Sequence, residues 1–133
     1  MLRILVVEDD DSIRQLLMDS LAQRSTAEVD GARDGVEALH QVTTRRYSVV
    51  ILDLMMPYMS GVDFLESLRM MASDPSLKHL DATPAIIVLT SAPQEVVATA
   101  QLEERFPSLV CGVLRKPVDL DALLASIRAT DSS

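Results

Sequence analysis

The sequence predicts an α/β protein in which helices cover both faces of a five-stranded parallel sheet, a doubly wound, three-layer architecture. Five short runs rich in Val, Ile and Leu do not alternate strictly with polar residues, which is typical of parallel strands buried on both faces. Stretches with helical spacing lie between these runs, so the order is strand then helix, repeated five times. A length of 133 residues and an apolar content of 48% suit one domain with a substantial core.

The five apolar runs are the predicted strands, and the second is the least apolar. They are Leu2–Val7, Ala27–Ala32, Val49–Leu52, Ala85–Leu89 and Leu109–Leu114. Parallel strands of this kind are joined by right-handed helical crossovers, which place helices on both sides of the sheet.

Apolar residues recur at helical spacing between the runs. Ile13, Leu16, Leu17 and Leu21 share one face, and similar stripes occur in 36–42, 64–71 and 120–127, whereas Gln94–Arg105 has only a thin apolar face. Asp34 and Gly35 mark a turn into the second helix, and Asp119 stands where a cap of the last helix belongs. Residues 73–84 are predicted to form a long loop.

The charge composition narrows the possible function classes. Twenty acidic against 12 basic residues give a formal charge of −8, so binding to nucleic acid or to an anionic membrane is not expected. A single cysteine, Cys111, excludes an internal disulfide and a cysteine-based zinc site, and we expect its thiol to be buried and inert. No apolar run approaches the length of a signal or membrane segment, so a soluble cytoplasmic protein is expected.

Polar residues with complementary chemistry end four of the predicted strands. Glu8 and Asp9 follow the first strand, Asp53 ends the third, Thr90 follows the fourth and Lys116 follows the fifth. Because the carboxyl ends of parallel strands meet at one edge of the sheet, where open α/β folds bind ligands, we expect these groups in one crevice.

Carboxylates gathered in one crevice repel each other, and a divalent cation offsets that repulsion. Mg²⁺ prefers oxygen ligands and usually keeps several waters. Asp9 and Asp53 are the expected direct ligands, with Glu8 in a supporting role. The backbone carbonyl of Met55 is the candidate for a third protein oxygen.

With Mg²⁺ and Lys116 in place, the crevice would attract a phosphoryl group. Asp53 can then act as the nucleophile and form an aspartyl phosphate. The metal and the lysine neutralise charge on the transferring oxygens, and the Thr90 hydroxyl can donate a hydrogen bond to one of them.

Five motifs in order resemble the receiver domain of two-component response regulators, of the single-domain, chemotaxis-regulator type. They are LVVEDD (5–10), DG with EAL (34–39), ILDLMMP followed by SG (51–61), LTS (89–91) and KP (116–117). The resemblance covers residues 2 to 128, and it implies a flavodoxin-like fold with strand order 2-1-3-4-5 and five helices. We therefore expect a receiver domain over residues 1–128 and a frayed tail or linker over 129–133.

The resemblance implies a role for each site residue. Asp53 would be the phosphoacceptor, and Glu8 and Asp9 would be the acidic pair, with Asp9 the direct ligand of Mg²⁺. Thr90 would be the switch residue and Lys116 the ligand of a phosphoryl oxygen. The bond from Lys116 to the following proline would be cis. The implied partners are a sensor histidine kinase or histidine phosphotransfer protein and a downstream protein target. The domain would not be an enzyme, apart from catalysing its own phosphorylation and dephosphorylation.

One departure from the family concerns the readout of phosphorylation. Most receivers carry an aromatic residue three positions before the lysine, and here that position is Val113. The approach to the fifth strand, EERFPSLVCGV (103–113), is also unusual, and the stretch from Thr90 to Lys116 is longer than usual. The sequence therefore predicts intact chemistry at Asp53 with an altered switch.

Three other functions remain open. A degenerate receiver would act only as a phosphorylation-independent interaction module, as the Val113 departure suggests. A haloacid-dehalogenase-type phosphatase needs an acid two residues after the nucleophile, where Met55 stands. A flavodoxin-type flavin carrier needs a phosphate-binding loop after the first strand, whereas this loop is acidic and aromatic residues make up only 3%. No output domain is expected in these residues, so the chain is either a stand-alone receiver or a fragment of a longer regulator.

Overall fold

The computed structural model describes residues 2–54, 59–73, 84–90 and 102–131, which contain five strands and four long helices. They are β1 (Arg3–Val7), α1 (Asp11–Arg24), β2 (Glu28–Ala32), α2 (Gly35–Thr44), β3 (Val49–Asp53), α3 (Gly61–Ala72), β4 (Ala85–Thr90), β5 (Val110–Arg115) and α4 (Leu120–Asp131). Most of the predicted helix Gln94–Arg105 and of the predicted loop 73–84 lies outside the described residues, although 102–105 is helical.

All five strands pair in parallel, in the order β2-β1-β3-β4-β5. Both the doubly wound, flavodoxin-like fold class and the predicted strand order are therefore confirmed. None of the helices in the described part of the chain has the length and apolarity needed to cross a membrane.

The sheet separates two apolar layers, as the alternation of β1 shows. Leu5 and Val7 pack in the layer covered by α2 and α3, and Ile4 and Val6 pack in the layer covered by α1 and α4. All four side chains are buried, so a strand in this position has no polar face. β1, β3 and β4 are buried almost throughout and form the centre of the sheet, and their carboxyl ends hold the residues discussed below.

Short polar side chains begin the helices where the sequence predicts them. The Asp34 carboxylate accepts a hydrogen bond from the Glu37 amide at 2.8 Å at the start of α2. Asp119 accepts one from the Asp121 amide at 3.0 Å at the start of α4. These bonds satisfy amide groups that a first helical turn leaves without intrahelical partners, and they fix where each helix leaves its loop.

The two edge strands are only partly covered, and the prediction that Cys111 is buried is wrong. Ile86 of β4 lies opposite Val110 of β5, and the next residue, Ile87, lies opposite Gly112. No residue of β4 therefore lies opposite Cys111, which forms a bulge. The residue is exposed, and its thiol lies 3.4 Å from the Ile86 carbonyl oxygen. A bulged residue on an edge strand has no neighbouring strand to cover it.

The apolar face of α1 is divided between core and surface. Leu17 and Leu21 are buried, whereas Ile13 is 39% exposed and Leu16 is 65% exposed. The two exposed side chains line a groove of about 540 Å³, which we call the α1 groove. Its other lining residues include Lys116, Pro117 and Val118, from the segment between β5 and α4, and Leu120, the first residue of α4.

Candidate functional site

Three carboxylates meet at the carboxyl edge of the sheet. Glu8 directly follows β1, and its amide extends the ladder to β2 by donating to the Ala32 carbonyl at 3.0 Å. Asp53 is the last residue of β3, the strand that neighbours β1. One carboxylate oxygen each from Glu8, Asp9 and Asp53 lie within 4.8 Å of one another. Glu8 and Asp53 are buried, and Asp9 is exposed to solvent.

Lys116 brings the only ammonium group found at this carboxylate cluster among the described residues. Its Nζ donates to Asp53 Oδ2 at 3.1 Å and to Glu8 Oε2 at 3.2 Å. Its backbone amide donates to the Thr90 carbonyl at 2.7 Å, which fixes the residue against the end of β4. The peptide bond from Lys116 to Pro117 is cis, as the family resemblance predicts.

Burial and charge determine the protonation of this cluster. Burial raises the pKa of Glu8 from an ordinary 4.5 to about 7, and the hydrogen bond and negative charge of Asp53 add to that rise, while Lys116 opposes it. Burial acts to lower the pKa of Lys116, but its bonds to Asp53 and Glu8 outweigh burial and raise it above the ordinary value. The lysine is therefore charged at neutral pH, and Glu8 loses its proton near pH 7.

Thr90 is the last residue of β4 and is almost completely buried. Leu89, the residue before it, lies opposite Asp53 in the ladder between β3 and β4. The hydroxyl-bearing residue thus stands one position beyond Asp53 at the same edge. Met55 lies outside the described residues, so the structure gives no placement for its carbonyl.

The carboxylate cluster fits a hard divalent cation by its donor set. Three carboxylates and one ammonium leave two net negative charges when all are ionised. Mg²⁺ binds oxygens at about 2.1 Å in octahedral geometry, which places two ligand oxygens roughly 3 to 4 Å apart. Oxygens within 4.8 Å of one another therefore need only small side-chain movements to share one ion.

Arg14 contacts the site although sequence reasoning gave it no role. Its guanidinium donates to the Glu8 carbonyl oxygen at 3.0 Å. The sequence shows only that a basic residue stands three places after Asp11, inside an acidic segment. That spacing by itself is typical of an ordinary helical ion pair, so only the fold reveals the second contact.

The comparison with protein families agrees with this geometry. Residues 4–128 match the model of the response regulator receiver domain. The chain belongs to this family. As a receiver domain it is part of two-component signalling, in which receivers accept phosphoryl groups from histidine kinases and bind Mg²⁺ at an acidic pocket.

Relatives and solved structures support the same assignment. The response regulator MprA of Mycobacterium sp. (strain KMS) is 37% identical over 130 residues, covering 96% of this chain and 49% of the relative. The chemotaxis protein CheY4 of Vibrio cholerae has a TM-score of 0.76 at 30% identity and covers 98% of both chains. A receiver protein from Pseudomonas putida has a TM-score of 0.74, also at 30% identity, and covers 96% of both chains. The chain spans about half the length of the curated relatives that it matches.

Proposed function

We propose that this receiver is a phosphorylation-dependent switch whose acceptor is the carboxylate of Asp53. The observation that carries the proposal is the position of the Lys116 ammonium, 3.1 Å from Asp53 Oδ2, beside the oxygens of Glu8 and Asp9. The arrangement offers one nucleophilic oxygen with a positive group and a metal-binding oxygen cluster on either side of it. These are the parts that phosphoryl transfer requires.

The proposed transfer exchanges one bond to phosphorus for another. A carboxylate oxygen of Asp53 attacks phosphorus, and the P–N bond of a phosphohistidine donor breaks as the new P–O bond forms. The donor imidazole keeps the bonding electron pair and binds a proton. Lys116 shifts from the carboxylate to a phosphoryl oxygen, and Mg²⁺ held by Glu8, Asp9 and Asp53 would supply further charge neutralisation. Attack of water on phosphorus later releases phosphate and restores Asp53.

We propose that Thr90 and Val113 give this switch an altered readout. Thr90 would donate its hydroxyl to a phosphoryl oxygen and so shift the end of β4. Val113 pairs with Val88 in β4 and packs, half-buried, against the apolar layer of α2 and α3. A valine offers neither a ring nor a hydroxyl that could move between two positions, so the response to phosphorylation would be carried by the backbone of β4 and β5.

The α1 groove is the proposed docking surface for the phosphodonor domain of a histidine kinase or phosphotransfer protein. Lys116 lines this groove and also contacts Asp53, so a partner seated in the groove lies beside the acceptor. Leu16 gives the groove an exposed apolar anchor. Apolar side chains beside a reactive centre can position a protein donor without entering the chemistry.

Intact-mass spectrometry after incubation with acetyl phosphate and Mg²⁺ tests the proposed acceptor. We expect one phosphoryl adduct on the wild type and on Asp19→Asn, a control at an exposed carboxylate of α1. We expect no adduct on Asp53→Asn or in the presence of EDTA. A chain that forms no adduct under these conditions would instead be a phosphorylation-independent interaction module. An adduct that persists in Asp53→Asn would place the acceptor elsewhere.

A further inference from the structure

Arg14 is tied to the backbone of the acidic pair by a side chain that is mostly covered. Only 17% of that side chain is exposed, although α1 lies at the surface. One guanidinium nitrogen donates to the Glu8 carbonyl oxygen at 3.0 Å, and the other pairs with the Asp11 carboxylate at 2.5 Å. The guanidinium fork therefore links the loop after β1 to the first turn of α1.

Gly31 in β2 provides the space for this arrangement. A Cβ atom added at Gly31 would lie 3.1 Å from Arg14 Cδ and 2.6 Å from Met18 Sδ. The second distance is too short for a side-chain contact, so a Cβ at this position would require the Met18 side chain to move. The Arg14 side chain thus runs from α1 past Gly31 of β2 to the Glu8 carbonyl oxygen.

The bond from Arg14 fixes the peptide group that leads into Asp9. The Glu8 amide is held by Ala32 and the Glu8 carbonyl by Arg14, so the backbone is fixed on both sides of the Glu8 α-carbon. The carboxylate of Asp9 has no ion pair or hydrogen bond with another side chain in the described part of the chain. Its position therefore depends on the backbone that carries it. Glu8 and Asp53, in contrast, are held by Lys116.

We propose that Arg14 is a positioning residue for the metal site, acting through the Glu8–Asp9 peptide group. The inference rests on the proposed function, in which Asp9 is a Mg²⁺ ligand. Arg14 touches neither the acceptor nor the metal oxygens in this account. It holds the exposed ligand where Glu8 and Asp53 can share an ion with it, in the way that groups behind metal ligands commonly orient them.

The direction of the change in Mg²⁺ affinity when Arg14 is replaced distinguishes a positioning role from a purely electrostatic one. Arg14 carries a positive charge close to a cation site, so removing that charge should strengthen Mg²⁺ binding if electrostatics alone acts. If Arg14 positions Asp9, its removal should weaken Mg²⁺ binding in spite of the lost repulsion. The two explanations therefore predict opposite changes in one dissociation constant.

Titration calorimetry with MgCl₂ measures this constant without any phosphorylation. We expect Arg14→Met to raise the Kd for Mg²⁺ about tenfold, the size typical of lost support behind a metal ligand. Arg14→Lys keeps the charge but loses the fork that reaches two acceptors, and it should also raise the Kd. Arg24→Met is the matched control, because this α1 arginine pairs with the exposed carboxylate of Asp121 and with no member of the carboxylate cluster among the described residues, so it should leave the Kd unchanged.

An unchanged or lower Kd in both Arg14 variants would overturn the inference while leaving the proposed function in place. A wild type that binds no Mg²⁺ would remove both. Thermal melts in EDTA, followed by circular dichroism, show whether each variant folds, and the rise in Tm on adding MgCl₂ should be smaller for the Arg14 variants than for Arg24→Met. If Arg14→Met does not fold, the Kd of Arg14→Lys decides the question in the same way.

Discussion

Replacing Glu8 by Gln should make the metal-free protein more stable, although it removes a group of the candidate site. Glu8 is buried beside Asp53, and its pKa lies at about 7 instead of 4.5. The folded chain therefore keeps a proton on Glu8 at pH values where the unfolded chain has lost it. The contribution of Glu8 to the free energy of unfolding of the wild type should therefore fall as pH rises from 4.5 through about 7, and the full destabilisation is present above that range.

The size of the effect follows from the pKa change. Moving a pKa from 4.5 to about 7 corresponds to about 3 kcal/mol of free energy of unfolding at pH values above both. For a chain of this length that is a difference of roughly 10 °C in Tm. Glutamine is uncharged, so the variant should lack this part of the pH dependence. The free energy of unfolding of the variant should exceed that of the wild type by more as pH rises. The two values should be close at low pH, where Glu8 is protonated in both the folded and the unfolded chain.

Urea denaturation followed by circular dichroism, with EDTA present, tests this at roughly pH 5 and pH 8. The difference in stability between variant and wild type should grow by about 2.5 kcal/mol between these two values, because a part of the effect is already present at the lower pH. Glu104→Gln, at an exposed carboxylate of the helical turn 102–105, should show no such change. Equal pH dependence of wild type and Glu8→Gln would refute the electrostatic account of the cluster.

Three further outcomes follow from the same contacts. Lys116→Met should slow phosphorylation by acetyl phosphate about a hundredfold, since it removes a donor next to the acceptor, and an unchanged rate of adduct formation would contradict its role. Leu16→Ala should slow phosphoryl transfer from a histidine kinase that phosphorylates the wild type, but it should not slow transfer from acetyl phosphate. Val36→Ala, which truncates an exposed apolar side chain on α2, should slow neither reaction. Equal rates for the two variants with the kinase would exclude the α1 groove as the docking surface. Cys111 should react completely but slowly with a thiol reagent in the folded protein, because the residue is exposed but partial burial of its thiol raises the thiol's pKa. Protection of Cys111 until unfolding would contradict the bulge.

The centre of the sheet and the meeting of the acidic residues were predictable because both follow from periodicity and topology. Runs such as Val49–Leu52 contain no polar residue, which is typical of strands covered on both sides. Parallel pairing then brings the ends of β1 and β3 together, so the proximity of Glu8, Asp9 and Asp53 required no further information.

Features that depend on register or on side-chain direction were not predictable in this way. Cys111 lies within an apolar run, and only the bulge opposite β4 shows why it is exposed. Leu16 has the same spacing as core residues of α1, but the segment after β5 does not cover it. Arg14 reaches the Glu8 carbonyl on a path beside Gly31, which lies 17 residues further along the chain. Contacts between elements of this kind leave no periodic signal.

Nuclear magnetic resonance with Mn²⁺ in place of Mg²⁺ tests the central claim, a single cation held beside Asp53, most directly. Mn²⁺ uses the same oxygen ligands and broadens the signals of nearby amides. At low Mn²⁺ concentration we predict broadening centred on Glu8, Asp9, Asp53 and Lys116, and its loss in Asp9→Asn. Broadening that is centred on another acidic group, or that remains on these residues in Asp9→Asn, would contradict the account.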